Sequence, residues 1–130
     1  MPRTDVILYQ EGDDTLPPLV EFLDGLQQAA RERCVARLEL LEAHGHELKR
    51  PHSAPLQDGI HELRIKFFKV NYRILDFFHE RTAAVVSHGI AKEKEVPKRE
   101  IQLAVARMEK FKADPAKHTF RYEREPRDED

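Results

Sequence analysis

Apolar and polar positions alternate in distinguishable ways along this 130-residue chain. DVILY (5–9) is a short apolar run and predicts a first strand. Gly12-Asp13-Asp14 breaks it. Pro17-Pro18 suits a first helical turn, where the missing N–H is harmless. Leu19, Phe22, Leu23 and Leu26 then recur on one helical face. Asp24-Gly25 marks a bend or a stop. Cys34, Leu38 and Leu41, with Val35 beside them, form a second stripe that Gly45 ends. The span 17–44 therefore predicts two short helices packed as a hairpin, or one broken helix.

KRPHSAP (49–55) holds two prolines and is expected to be a loop. Asp58-Gly59 signals a turn. IHELRIKF (60–67) alternates, with His61, Leu63 and Ile65 on one face and Ile60, Glu62 and Arg64 on the other. VNYRILDFF (70–78) carries apolar groups on both faces, as a central strand does. TAAVVSHGIA (82–91) is rich in β-branched residues. Short links at Phe68-Lys69 and His79–Arg81 predict a three-stranded meander. Pro97 opens a last helix, with Ile101, Ala104, Val105, Met108 and Phe111 at helical spacing, and Asp114-Pro115 stops it. The expected fold class is α+β: a small antiparallel sheet, made of the meander plus the N-terminal strand, with an N-terminal helical hairpin and a C-terminal helix on one face. One domain over 1–115 is expected, followed by a charged, disordered tail over 116–130.

Composition adds constraints. Apolar residues make up 40% and charged residues 35%. No apolar run approaches the ~18 residues that span a bilayer, and the N-terminus lacks a secretory pattern. Cys34 is the only cysteine, so no internal disulfide forms. A cytoplasmic protein is expected. The net charge of −2 argues against a nucleic-acid binder, but its distribution argues the other way. Residues 60–99 carry nine Lys/Arg against five Asp/Glu. A basic centre in an acidic remainder points to a local phosphate-facing surface; chance scatter is the plainer alternative.

The segments LQDGIHELR, YRILDFF and VVSHGIAKEKEVPKREIQLA, in this order and spacing, resemble the phage-derived, HigB-like branch of the RelE/ParE toxin superfamily. The resemblance runs from about Leu19 to Phe111. It implies a RelE/ParE-like fold and the toxin of a type II toxin–antitoxin pair. It further implies an endoribonuclease, or mRNA interferase, that cuts mRNA on the ribosome or free of it. Such toxins use no metal or other cofactor and are silenced by a cognate helix-turn-helix antitoxin. By position, Glu62, Arg64, Arg73 and Lys92 match the charged residues of the family's concave basic face, with Lys94 and Lys98 just beyond. The superfamily also contains ParE-like proteins that inhibit DNA gyrase without cutting RNA. That activity, or an inert phage-derived interaction module, is the alternative, since fold does not settle activity.

Cleavage of RNA by its own 2′-OH needs a base, a charge stabiliser at phosphorus and an acid. Arg73 on the central strand is the candidate phosphate clamp, since guanidinium offers a planar donor fork. Arg64 and Lys92 flank it. Glu62 is the candidate base. His88 suits either proton-transfer role. Lys66, Lys69, Lys94 and Lys98 are candidate RNA contacts. Each has a plainer reading. Glu62 and Arg64 can be ordinary ion-pair partners, His88 a structural histidine, and Lys92–Arg99 a solvated charged stretch. Tyr72, Phe77 and Phe78 read more simply as core than as base-stacking platforms. His44 and His46 read as surface loop rather than metal ligands. Apolar edges of helices 17–44 and 97–112, or the tail, offer an antitoxin segment a place to dock.

Overall fold

The computed structural model describes residues 3–91 and 94–121. In chain order the elements are β1 (Asp5–Tyr9), α1 (Pro18–Asp24), α2 (Gln28–His44), β2 (Ser53–Pro55), β3 (Ile60–Phe67), β4 (Val70–His79), β5 (Ala83–Ala91), α3 (Lys98–Ala113) and β6 (Thr119–Arg121). The strands form one six-stranded sheet in the order β2-β3-β4-β5-β1-β6. The fold class is α+β, as the pattern predicts.

The sheet is mixed rather than antiparallel throughout. The β3-β4-β5 meander is present in register, with Arg64 opposite Arg73 and Arg73 opposite Ile90. β1, however, runs parallel to β5, pairing Ile7 with Val85. The crossover needed for a parallel pair is the whole stretch from α1 through β4. Two short strands fall where none was expected. Ser53–Pro55, in the expected loop, pairs with β3. Thr119–Arg121, within the expected tail, pairs with β1. Both are three residues long, too short for any periodicity to announce them. Residues 122–130 of that tail lie outside the described residues.

Helices cover both faces of the sheet, not one. Strand alternation divides the core into two layers. On one face, Ile60, Leu75, Phe77 and Val85 meet Ile101, Ala104, Met108 and Phe111 of α3. On the other, Leu63, Ile65, Ile74 and Val86 meet Leu19 of α1 and Cys34 and Leu41 of α2. The break at Asp24-Gly25 is real: α1 stops there and Gly25 caps it. Gly45 ends α2 with φ +54, and a Cβ there would lie 2.1 Å from the Thr4 hydroxyl. Asp58 (φ 57) and Gly59 (φ 85) form the turn into β3, a left-handed pair that favours these residue types.

β5 carries a bulge opposite Leu75 and Asp76. The extra residue turns both Ser87 and His88 toward the α3 side, where Ser87 meets Arg107 and His88 meets Glu100. Gly89 follows because the Phe22 ring of α1 packs directly over it; a Cβ there would lie 2.4 Å from that ring. The His-Gly pair in the sequence thus separates two layers, the histidine facing α3 and the glycine admitting α1.

Candidate functional site

The register places Glu62, Arg64 and Arg73 on the α3-side face, at the end of the β3–β4 ladder that α3 leaves uncovered. Glu62 is buried, with a side chain 3% exposed. Its Oε1 accepts from Arg73 Nη1 at 2.6 Å, and its Oε2 accepts from Arg64 Nε at 2.9 Å. Charge-assisted bonds to both oxygens offset the desolvation of the carboxylate. Arg73 also donates through Nη2 to the backbone carbonyl of Lys94. That bond ties the segment before α3 to the middle strand.

This geometry redistributes the expected roles. Glu62 is held between two guanidinium groups rather than open to a substrate. Arg73, the expected clamp, has a side chain only 12% exposed. Arg64, expected to flank it, is the open arginine at 41%. Its position is braced from the other side of the sheet, since Arg37 of α2 donates to the Arg64 carbonyl.

Beside this cluster lies a cleft of about 370 Å³, lined by Arg37, Pro51, His52, Arg64, Ile65, Lys66, Asn71, Tyr72 and Arg73. Of the expected RNA contacts, Lys66 belongs to this wall, and Lys69 sits at the adjoining hairpin tip, exposed. Lys94 is exposed and joined to the cluster through its backbone. Lys98 is exposed in the first turn of α3. Lys92 lies outside the described residues.

His88 shares the face but not the cluster. It stands opposite Leu75, which in turn stands opposite Glu62, so two strand spacings of about 4.8 Å separate His88 from the carboxylate. Its Nε2 lies 2.9 Å from Glu100 Oε1 and its Nδ1 2.7 Å from Ser87 Oγ. Arg107 donates to the same Ser87 oxygen at 3.3 Å. Burial lowers the His88 pKa, helped by Arg107 and opposed by Glu100. A neutral ring, donating to Glu100 and accepting from Ser87, fits this chain of bonds. Both nitrogens are thus engaged by the protein.

Arg37 and His52 went unnoticed in the sequence. No local signal marks them. Arg37 reaches the cleft because α2 packs on β3, and His52 because Arg64 donates its N–H to the His52 carbonyl at the end of β2. Tyr72 meets Phe22 edge-on and Phe77 is fully buried. His46 stacks on Phe78 at 3.8 Å. Among the described residues, no group of three or more His, Cys, Asp or Glu is placed to hold a metal ion, and no helix is long and apolar enough to cross a membrane.

A small α+β fold with a cationic cleft beside a strand pair defines the class. The chain belongs to the family described as phage-derived protein Gp49-like (DUF891), which matches residues 21–109. That is a RelE/ParE-like family of toxins from toxin–antitoxin systems. No curated protein matches the chain.

Proposed function

We propose that this protein is a HigB-like toxin: an endoribonuclease that cuts mRNA, on the ribosome or free of it, by side-chain chemistry alone. The single observation carrying the proposal is the cleft in which Arg64, Arg37 and Lys66 surround a space next to a carboxylate-braced pair of arginines. Such a cleft suits a scissile phosphodiester. Its cations neutralise charge building on phosphorus, an effect commonly worth ~10²–10³ in rate per donor removed. Glu62 fixes the angle of Arg64 and Arg73, so that little reorganisation is needed when charge develops.

Proton transfer falls to groups on the cleft wall. His52 and Tyr72 line it, and one acting as base toward the 2′-OH with the other as acid toward the 5′-oxygen gives a balanced cyclising cleavage. His88, engaged by Glu100 and Ser87, is given a supporting part in holding α3 against the sheet. Lys92 and Lys98 remain on the proposed RNA path by their place in the sequence.

The proposal includes a partner, a helix-turn-helix antitoxin. An apolar groove of about 350 Å³ between β1, α1 and α2, lined by Leu8, Leu19, Leu23 and Leu38 with Glu39 and Glu42 at its side, gives an amphipathic antitoxin segment a seat.

The test is induction of the protein followed by mapping of RNA 5′ ends. New ends inside messages, lost in an Arg64→Ala protein that is less stable but still folded at the assay temperature by circular dichroism, are expected. Cleavage should persist in EDTA. Growth arrest with intact messages and trapped DNA cleavage complexes would instead assign the gyrase-directed activity, and absence of any toxicity the inert module.

A further inference from the structure

The β3–β4 hairpin ends in Phe68, which is 82% exposed. Its φ is +55, a region where a bulky aromatic residue is strained and where turns usually place Gly or Asn. Neither core packing nor turn chemistry calls for phenylalanine here. Strain retained at an exposed position points to use of the side chain.

The ring is also braced. It meets the Phe67 ring edge-on at 4.5 Å, and the Arg33 guanidinium of α2 lies over Phe67, 5.0 Å from its centroid. Helix, cation and two rings therefore form a short stack that ends in an open aromatic face. Its surroundings are cationic. Between Glu62 and Asp76 the chain has Arg64, Lys66, Lys69 and Arg73 and no carboxylate. Lys66 also belongs to the wall of the cleft. At about 3.3 Å per residue, the hairpin tip lies roughly 13–17 Å along the strands from Arg73. Phe67 and Arg33 lie on the α2 side of the hairpin and Lys66, Arg64 and Arg73 on the other, so an extended polyanion reaches both by passing through the cleft, whose wall carries Arg37 as well as Arg64 and Lys66.

We propose that Phe68 is a base-stacking platform for single-stranded RNA. Lys66 and Lys69 hold the flanking phosphates, and the strand runs from the hairpin tip into the Arg64 cleft. The inference rests on the ribonuclease reading of that cleft and adds to it where the substrate lies. Aromatic stacking tolerates any base, because every base offers a π face, and cations beside the ring supply sequence-independent attraction.

The chain has no tryptophan, so Phe68→Trp installs a single reporter at the proposed contact. The probe is a fluorescein-labelled single-stranded 2′-O-methyl RNA of about twelve nucleotides, a length within the usual range for such sites, whose blocked 2′-oxygen prevents cleavage. Phe68→Ala should bind it roughly tenfold more weakly by anisotropy, with an unchanged melt, since stacking on one aromatic is commonly worth that much or more. Phe68→Trp should bind as the parent does, and saturating unlabelled RNA of the same sequence should quench its emission. Equal affinity of the Phe68→Ala protein, or indole emission from the Phe68→Trp protein that is indifferent to bound RNA, overturns the platform while leaving the cleft reading intact. If the parent protein neither binds this RNA nor produces new message ends on induction, the nuclease reading falls and the platform with it.

Discussion

At the scale of single residues, the site is governed by a buried carboxylate and the cations that hold it. Removing one partner of a buried ion pair leaves the other charge without compensation, typically at ~3–5 kcal/mol. Arg64 is partly solvated, so the lower part of that range applies to Glu62→Ala, read by urea unfolding. Glu62→Gln keeps the shape and one acceptor and should cost less. If the alanine variant is as stable as the parent, Glu62 does not brace the arginines.

Asp76 is a second buried carboxylate with the opposite circumstances. It is 1% exposed, neither oxygen has a hydrogen-bond partner among the described residues, and burial raises its pKa well above the ordinary value. Below about pH 4 both folded and unfolded chains carry the proton. As pH rises, the unfolded chain ionises first, so folding loses stability until the folded pKa is passed. Asp76→Asn removes this titration. Relative to the parent it should become progressively more stable as pH rises from about 4 to about 7.5, with the difference fading toward pH 4. Denaturant melts at the two pH values check it; a difference that does not grow with pH would show that Asp76 ionises in the folded protein.

At the scale of elements, the close approach of α1 to β5 is the most constrained contact. Phe22 sits over Gly89 with no room for a methyl group. Gly89→Ala forces the ring away and should cost ~1–3 kcal/mol, as overpacking usually does. Phe22→Ala in the same chain makes the space, so the double variant should lose less than the two single effects combined. Additive losses in thermal melts would show that the ring is not what excludes the side chain. The β5 bulge is the companion device on the other face. It presents Ser87 and His88 to α3, and the Arg107–Ser87–His88–Glu100 chain fixes the helix that shields the core. Because the His88 pKa lies below its ordinary value, this contribution is complete above about pH 6.5 and is lost as pH falls through the lower, folded value.

At the scale of the whole molecule, a net charge of −2 conceals a polarised surface. RNA binding should weaken with salt with a log–log slope of about −0.7 per phosphate neutralised on a single strand. If Arg37, Arg64, Lys66 and Lys69 each neutralise one phosphate, the slope is about −3, and Lys66→Ala should make it shallower by about 0.7. Anisotropy titrations at several salt concentrations measure this directly. A slope unmoved by Lys66→Ala would remove that lysine from the path.

The sequence by itself determined the local elements and one face of the site. Period-2 alternation over residues 60–67 assigned Glu62 and Arg64 to one side, because pleating leaves no other option. The periodic stripes of α2 and α3, the break at Gly25 and the turn at Asp58-Gly59 were legible for the same reason: each is set by neighbouring residues. Only the tertiary structure decided the partners. The parallel pairing of β1 with β5, the placing of helices on both faces, and the strands at 53–55 and 119–121 depend on segments distant in sequence. So do Arg37 and His52, which reach the cleft through packing rather than through any pattern of their own. The exposure of Arg64 and covering of Arg73 were likewise beyond the sequence, because two arginines on one face look alike until neighbouring elements close over one of them.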